Sequence, residues 1–204
     1  MYNVIEMKNK IETAVSIAEN EVKEEFMQLF KNIYKNNSVP NNLSDPKIIS
    51  LIHLTSYSDL ERVISGAGFY VILSDYDAQN NGCILTLNEN IRAIYRGEGN
   101  TVKKRIQSHL FNSRYKEDYD KRKQKYLNKP ENAGRSYYEV FWPACIKLGD
   151  GSNGINIDVD EKYNEYSWFL IIHNMRGSSQ EVRVQAELAF DELFGKPLAC
   201  RENT

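Results

Sequence analysis

Cysteine is scarce in this sequence. Cys83, Cys145 and Cys200 are the only three in 204 residues, and they lie far apart. An odd count at such spacing makes neither a disulfide framework nor a zinc knuckle, so reduced thiols are expected. Also missing is any apolar run near the roughly 20 residues of a membrane-spanning helix, so no membrane partner is expected. The opening stretch MYNVIEMKNKIETAV has no apolar core of the kind a secretory signal carries, and a cytoplasmic location is the expectation. Nor is one charge in excess: 26 Lys and Arg stand against 28 Asp and Glu, a formal net charge of −2. That balance excludes a uniformly basic surface but not a local one.

What is present is ordinary globular material, with 41 % hydrophobic and 26 % charged residues. The length suits one compact domain with an appendage. The charge is unevenly placed. Residues 101 to 129 hold ten Lys and Arg against three Asp and Glu, whereas the first thirty hold six Glu against three Lys. A run of like charge is by default a solvated helix face, but a focused basic stretch also attracts phosphates.

Ile11, Val15, Ala18, Val22, Phe26, Leu29 and Ile33 recur at steps of three and four, one stripe of a long amphipathic helix. That stripe must cover either the following domain or the same helix of a second subunit, so a homodimer through the N-terminal helix is one expectation. The Asn-, Ser- and Pro-rich residues 36 to 46 make a boundary, dividing the chain into an extension and linker (1–45) and a main domain (46–204). Ser58-Asp59-Leu60-Glu61 has the form of a capping box, and Gly66 can close the short helix it opens. A β-branched and aromatic run from Gly68 to Leu73 reads as a strand, Ile91 to Tyr95 as a second ended by Gly97 and Gly99, and Trp168 to His173 as a third. Between them, Thr101 opens one helix and a basic helix covers Lys116 to Leu127. An irregular insertion fills about 131 to 165. Ser179 caps a last helix that Gly195 and Pro197 stop. The expected fold is α+β: a small antiparallel or mixed three-stranded sheet flanked by helices.

Within this order lie Gly68-Phe69-Tyr70, Tyr95-Arg96-Gly97, then Arg105 and His109 ten and fourteen residues past Tyr95, and Glu187 on the last helix, ten residues before Pro197. Singly, each is commonplace; a strand tyrosine usually packs, and Glu187 one turn from Arg183 suggests a helix-surface ion pair. Jointly, over residues 68 to 203, the set resembles the GIY-YIG nucleases. Departures from that pattern are the Arg at position 96 where Ile is usual, the 25 residues between Tyr70 and Tyr95, Glu98 where Lys is frequent, and the long insertion.

The resemblance implies an endonuclease that hydrolyses phosphodiester bonds, with DNA, double-stranded, as the expected substrate and Mg²⁺ (or Mn²⁺) as the cofactor. A free-standing chain is most like a restriction or defence enzyme. The implied catalytic set is Tyr70 as general base, Tyr95 holding the water or phosphate, Arg105, His109 and Glu187. The chemistry of these groups agrees. Arg105 can offer a planar fork to phosphate oxygens. Glu187 supplies a hard oxygen ligand to a largely hydrated Mg²⁺, with Glu192 on the same helix as the rival. His109, one turn from Arg105, can orient Tyr70 or relay its proton. Lys103, Lys104, Arg114, Lys121, Arg122 and Lys123 are the expected nucleic-acid contacts. The alternative is a catalytically silent nucleic-acid-binding or regulatory module of the same fold.

Overall fold

A computed structural model describes residues 4–76, 81–137, 146, 148 and 154–200. The run GFYVILS forms strand β3 (Gly68–Ser74), buried along its whole length. It pairs antiparallel with β4 (Arg92–Gly99) on one side and with β5 (Trp168–Asn174) on the other. The three-stranded expectation is corrected by two further strands, β1 (Ser44–Asp45) and β2 (Ile49–Leu54), which make a five-stranded antiparallel sheet of order β1-β2-β5-β3-β4. Ile49, Ile52 and Leu54 of β2 are buried, so this segment is part of the sheet. The glycines expected to end the second strand lie inside β4, where Gly99 still pairs with Gly68.

Among the described residues there are five α-helices: α1 (Val4–Ile33), α2 (Val102–Leu110), α3 (Asn112–Leu127), α4 (Glu161–Asn164) and α5 (Gln180–Phe194). The segment at Ser58 is a 3-10 helix, Tyr57–Arg62, and its capping box lies two residues earlier than expected, Ser56 with Asp59. Ser179 accepts from the Val182 N–H at the start of α5, and Gly195 at φ +80° takes the chain out of it. Of the insertion, residues 138–145, 147 and 149–153 lie outside the described residues. Its described end is stitched to the end of α2: Ile155 N–H donates to the His109 carbonyl at 2.8 Å, Ile157 N–H to that of Leu110 at 3.0 Å, and both isoleucines enter the core.

Strand alternation gives the sheet two apolar faces. On one, Tyr70, Ile72 and Tyr95 pack with Ile106, Leu110 and Phe111 from the α2 region and with Trp168. On the other, Phe69, Val71 and Leu73 pack with Ala186, Ala189 and Phe190 of α5 and Phe30 of α1. Met27 and Phe30 of α1 and Tyr34 just after it seat there, with Phe26 and Ile33 partly covered. Of the stripe expected to cover either the domain or a second subunit, only the end at Phe26 and Ile33 meets the core; Ile11, Val15 and Leu29 are 57 %, 51 % and 43 % exposed. The C-terminal half of α1 is thus part of the core, because its aromatic residues lie a fraction of a turn away from the aliphatic stripe. The outer edge of β4 is also covered. Ala93 N–H donates to the Leu85 carbonyl, Ala199 N–H to that of Ile94, and Arg96 N–H to the Cys200 sulfur at 3.3 Å.

Candidate active site

Tyr70 stands opposite Gly97 across the β3–β4 pair. A Cβ at Gly97 would lie 2.5 Å from the Tyr70 hydroxyl oxygen, so only glycine lets the tyrosine ring lie across its neighbour. The hydroxyl so placed shares a 2.8 Å hydrogen bond with His109 Nε2 from α2. The Tyr95 ring centres 4.6 Å from that of His109 and 6.1 Å from that of Tyr70. Three elements therefore bring the two signature tyrosines and the histidine into one cluster. Tyr70 and His109 are fully buried and Tyr95 nearly so.

Burial pushes the His109 pKa well down, and the Arg105 charge pushes it further, so the imidazole is neutral. His173, buried on the other face with the Tyr34 hydroxyl 2.6 Å from its Nε2, is pushed down by burial to about 3. Both histidines have folded pKa values below the unfolded value of about 6.5. The unfolded chain therefore binds protons that the fold refuses. Their contribution is complete above pH 6.5 and is lost as pH falls below it. Stability from urea unfolding is expected to drop between pH 6.5 and 5, above the carboxylate range, by up to about 1.4 kcal/mol per pH unit for each histidine. A flat profile over that window would show that both rings are protonated in the fold, and half the slope that one of them is.

Arg105 lies one turn before His109 on α2 and is partly exposed. With Glu98, Gly99, Asn100, Gln180 and Arg183 it lines an open cleft of about 250 Å³ at the end of β4. Gly99 packs against its aliphatic stem, where an added Cβ would stand 3.1 Å from Cγ. Arg183, 1 % exposed, sits behind the cleft. Its Nε donates to Glu98 Oε2 at 2.8 Å and its Nη1 to the Ser178 carbonyl at 2.7 Å. Arg183 is therefore the partner of Glu98, across the sheet edge, and not of Glu187 one turn along its own helix. The carboxylate at position 98 is neutralised by this pair.

Glu187 belongs to a second such pair. Its Oε1 lies 3.0 Å from Arg96 Nη1, and the same guanidinium grips Asp191 with Nε and Nη2 at 3.0 and 2.6 Å. Arg183, Glu187 and Asp191, four residues apart on α5, thus form a charged ladder against Arg96 and Glu98 of β4. Arg96 alternates with Tyr95 along the strand, so the ladder is on the opposite face of β4 from the tyrosine–histidine cluster. Burial raises the Glu187 pKa, Arg96 pulls it down, and Glu98 and Asp191 raise it. Glu192 faces elsewhere, pairing with Lys23 of α1 at 2.9 Å. Arg96 and Asp191 were missed from the sequence. The available signal was an arginine within a strand otherwise built for burial, which demands a carboxylate partner.

The cation implied by the family resemblance is tested by these neighbours. Among the described residues no three His, Cys, Asp or Glu side chains converge as ligands. The Arg96 pair uses Glu187 Oε1, and the carboxylate keeps 18 % exposure. One carboxylate oxygen is therefore available to a divalent ion that retains most of its water, which is the minimal fit for Mg²⁺.

The basic residues flank this region on α2 and α3. Arg114, Lys121 and Lys123 are exposed, while Lys103, Lys104 and Arg122 are partly covered. Arg114 is 4.0 Å from Glu117 and lies over the Tyr57 ring at 6.0 Å. No helix among the described residues is long and apolar enough to cross a membrane. No family model matches the chain, and no curated protein or solved structure matches it.

Proposed function

We propose that the chain is an endonuclease of the GIY-YIG type that hydrolyses phosphodiester bonds in DNA, acting as a restriction or defence enzyme. The observation that carries this reading is the Tyr70–His109 hydrogen bond beside Tyr95, with Arg105 one turn away in an open cleft. Neutral His109 holds the Tyr70 hydroxyl in place and is a ready acceptor for its proton when Tyr70 takes one from water. Arg105 presents its fork to the phosphate, stabilising charge that builds on the non-bridging oxygens. Glu187, on the other face of β4 from the tyrosine–histidine cluster, would hold Mg²⁺ or Mn²⁺, and the ion would supply neutralisation of a phosphate that spans the sheet edge at the Arg105 cleft. The exposed cations of α3 and the partly covered Lys103 and Lys104 of α2 bind the duplex backbone without reading its sequence. A homodimer would carry two such centres, one for each strand.

A second reading, a nucleic-acid-binding module of the same fold without turnover, is favoured by two observations. The Tyr70 hydroxyl is closed to solvent, and Glu187 is engaged by Arg96. Supercoiled plasmid separates the two. The nuclease reading expects nicked and linear DNA with Mg²⁺ or Mn²⁺, none with EDTA, and none with Glu187→Gln. Intact plasmid under every condition, together with a salt-dependent mobility shift, would establish the binding module instead.

A further inference from the structure

Helix α1 is apolar in two directions, and the domain uses only one of them. The seated face is Phe26, Met27, Phe30 and Tyr34. About a third of a turn away by the 3.6-residue repeat, a second row runs Lys8, Ile11, Val15, Ala18, Val22, Glu25 and Leu29. Its steps are three, four, three, four, three, four, the spacing of a coiled-coil seam. Ile11, Val15 and Leu29 are more than two-fifths exposed, Lys8, Ala18 and Glu25 are exposed, and Val22 is half-buried. A row of this length, about 30 Å, is apolar at its centre and carries opposite charges near its two ends.

We infer that this row is the seam of an antiparallel homodimer, α1 lying against α1 of a second copy about a two-fold axis. The charges select both occupant and direction. Antiparallel pairing centred between Val15 and Ala18 places Ile11 opposite Val22 and Val15 opposite Ala18. It also sets Lys8 opposite Glu25, twice over by symmetry. A parallel, in-register pair would instead face Lys8 with Lys8 and Glu25 with Glu25 and is disfavoured at both ends. A charged residue at a seam position is a known means of fixing register, and here Lys8 and Glu25 are the two that do so. The charges of the row are thus self-complementary in the antiparallel arrangement, in which a two-fold axis perpendicular to the helices makes the interface isologous. This inference does not depend on the nuclease reading, because it uses no residue of the candidate site.

The test is the mass of the full chain by sedimentation equilibrium at micromolar concentration, with far-UV circular dichroism as the check on folding. The parent is expected at twice 23.6 kDa. Val15→Glu, which disturbs only an exposed position, is expected to give a folded monomer. Lys8→Glu is expected to weaken the dimer by about tenfold at low salt, and Lys8→Glu with Glu25→Lys to restore it. A parent that is monomeric throughout overturns the proposal. A dimer unaffected by Val15→Glu overturns the seam, and a Lys8→Glu defect that Glu25→Lys fails to repair overturns the antiparallel register. None of these outcomes bears on plasmid cleavage, so failure here and failure of the nuclease reading are separately visible.

Discussion

Arg105→Lys is expected to slow plasmid cleavage by a factor of about a hundred to a thousand while leaving thermal stability unchanged. Lysine keeps the positive charge but loses the planar fork, so a point charge replaces a two-pronged donor. The position is suited to this test because Arg105 is partly exposed, at the mouth of a cleft, with its stem held against Gly99. DNA affinity should change little, since the cations of α3 remain. If binding and cutting fall together, Arg105 is one more backbone contact. If cutting persists at the parent rate, the phosphate does not sit in this cleft.

The second large effect concerns stability. Arg183→Met removes the only cation paired with Glu98 among the described residues and strips partners from Asn100 and the Ser178 carbonyl. Methionine fills much of the volume, but Glu98 is left as an uncompensated, largely buried carboxylate. Breaking one side of a buried pair costs about 3–5 kcal/mol, a large share of the roughly 5–15 kcal/mol of a typical domain. A fall in melting temperature of about 10 °C is expected for a chain of this size. Glu98→Gln in the same background should recover part of it, because the unpaired charge is then gone. A loss below about 1 kcal/mol would mean that water reaches Glu98 and that the ladder contributes little.

The legible parts of the fold were those set by local chemistry. The β-branched runs at Gly68 and Trp168, the Ser179 cap and the Gly195 stop all appear close to where the sequence puts them. Strand β2 escaped because Ser50 and His53 interrupt its apolar run, and its partner β5 lies more than a hundred residues away. The N-terminal stripe is periodic, but full burial falls on Met27, Phe30 and Tyr34, and of the stripe only Phe26 and Ile33 pack on the core, since the docking partner and not the period decides which face is covered. In the candidate site, the spacing from Tyr95 to His109 was informative because strand and helix are joined by a short turn. The Arg96–Glu187 and Arg183–Glu98 pairs were not legible. Each joins residues about 90 apart in sequence, and which carboxylate meets which guanidinium depends on how α5 lies along β4.

The covered edge of β4 has a consequence for how copies of this chain can meet. An open edge strand presents free N–H and C=O groups, and those groups accept any extended peptide, native or misfolded. Here residues 85 and 86 occupy the start of that edge, and Ala199 and Cys200 occupy its middle. The opposite edge, β1, is only two residues long. Among the described residues neither end of the sheet offers a strand-length template, so growth of this sheet from chain to chain is blocked at both ends, and contact between folded copies is left to side-chain surfaces.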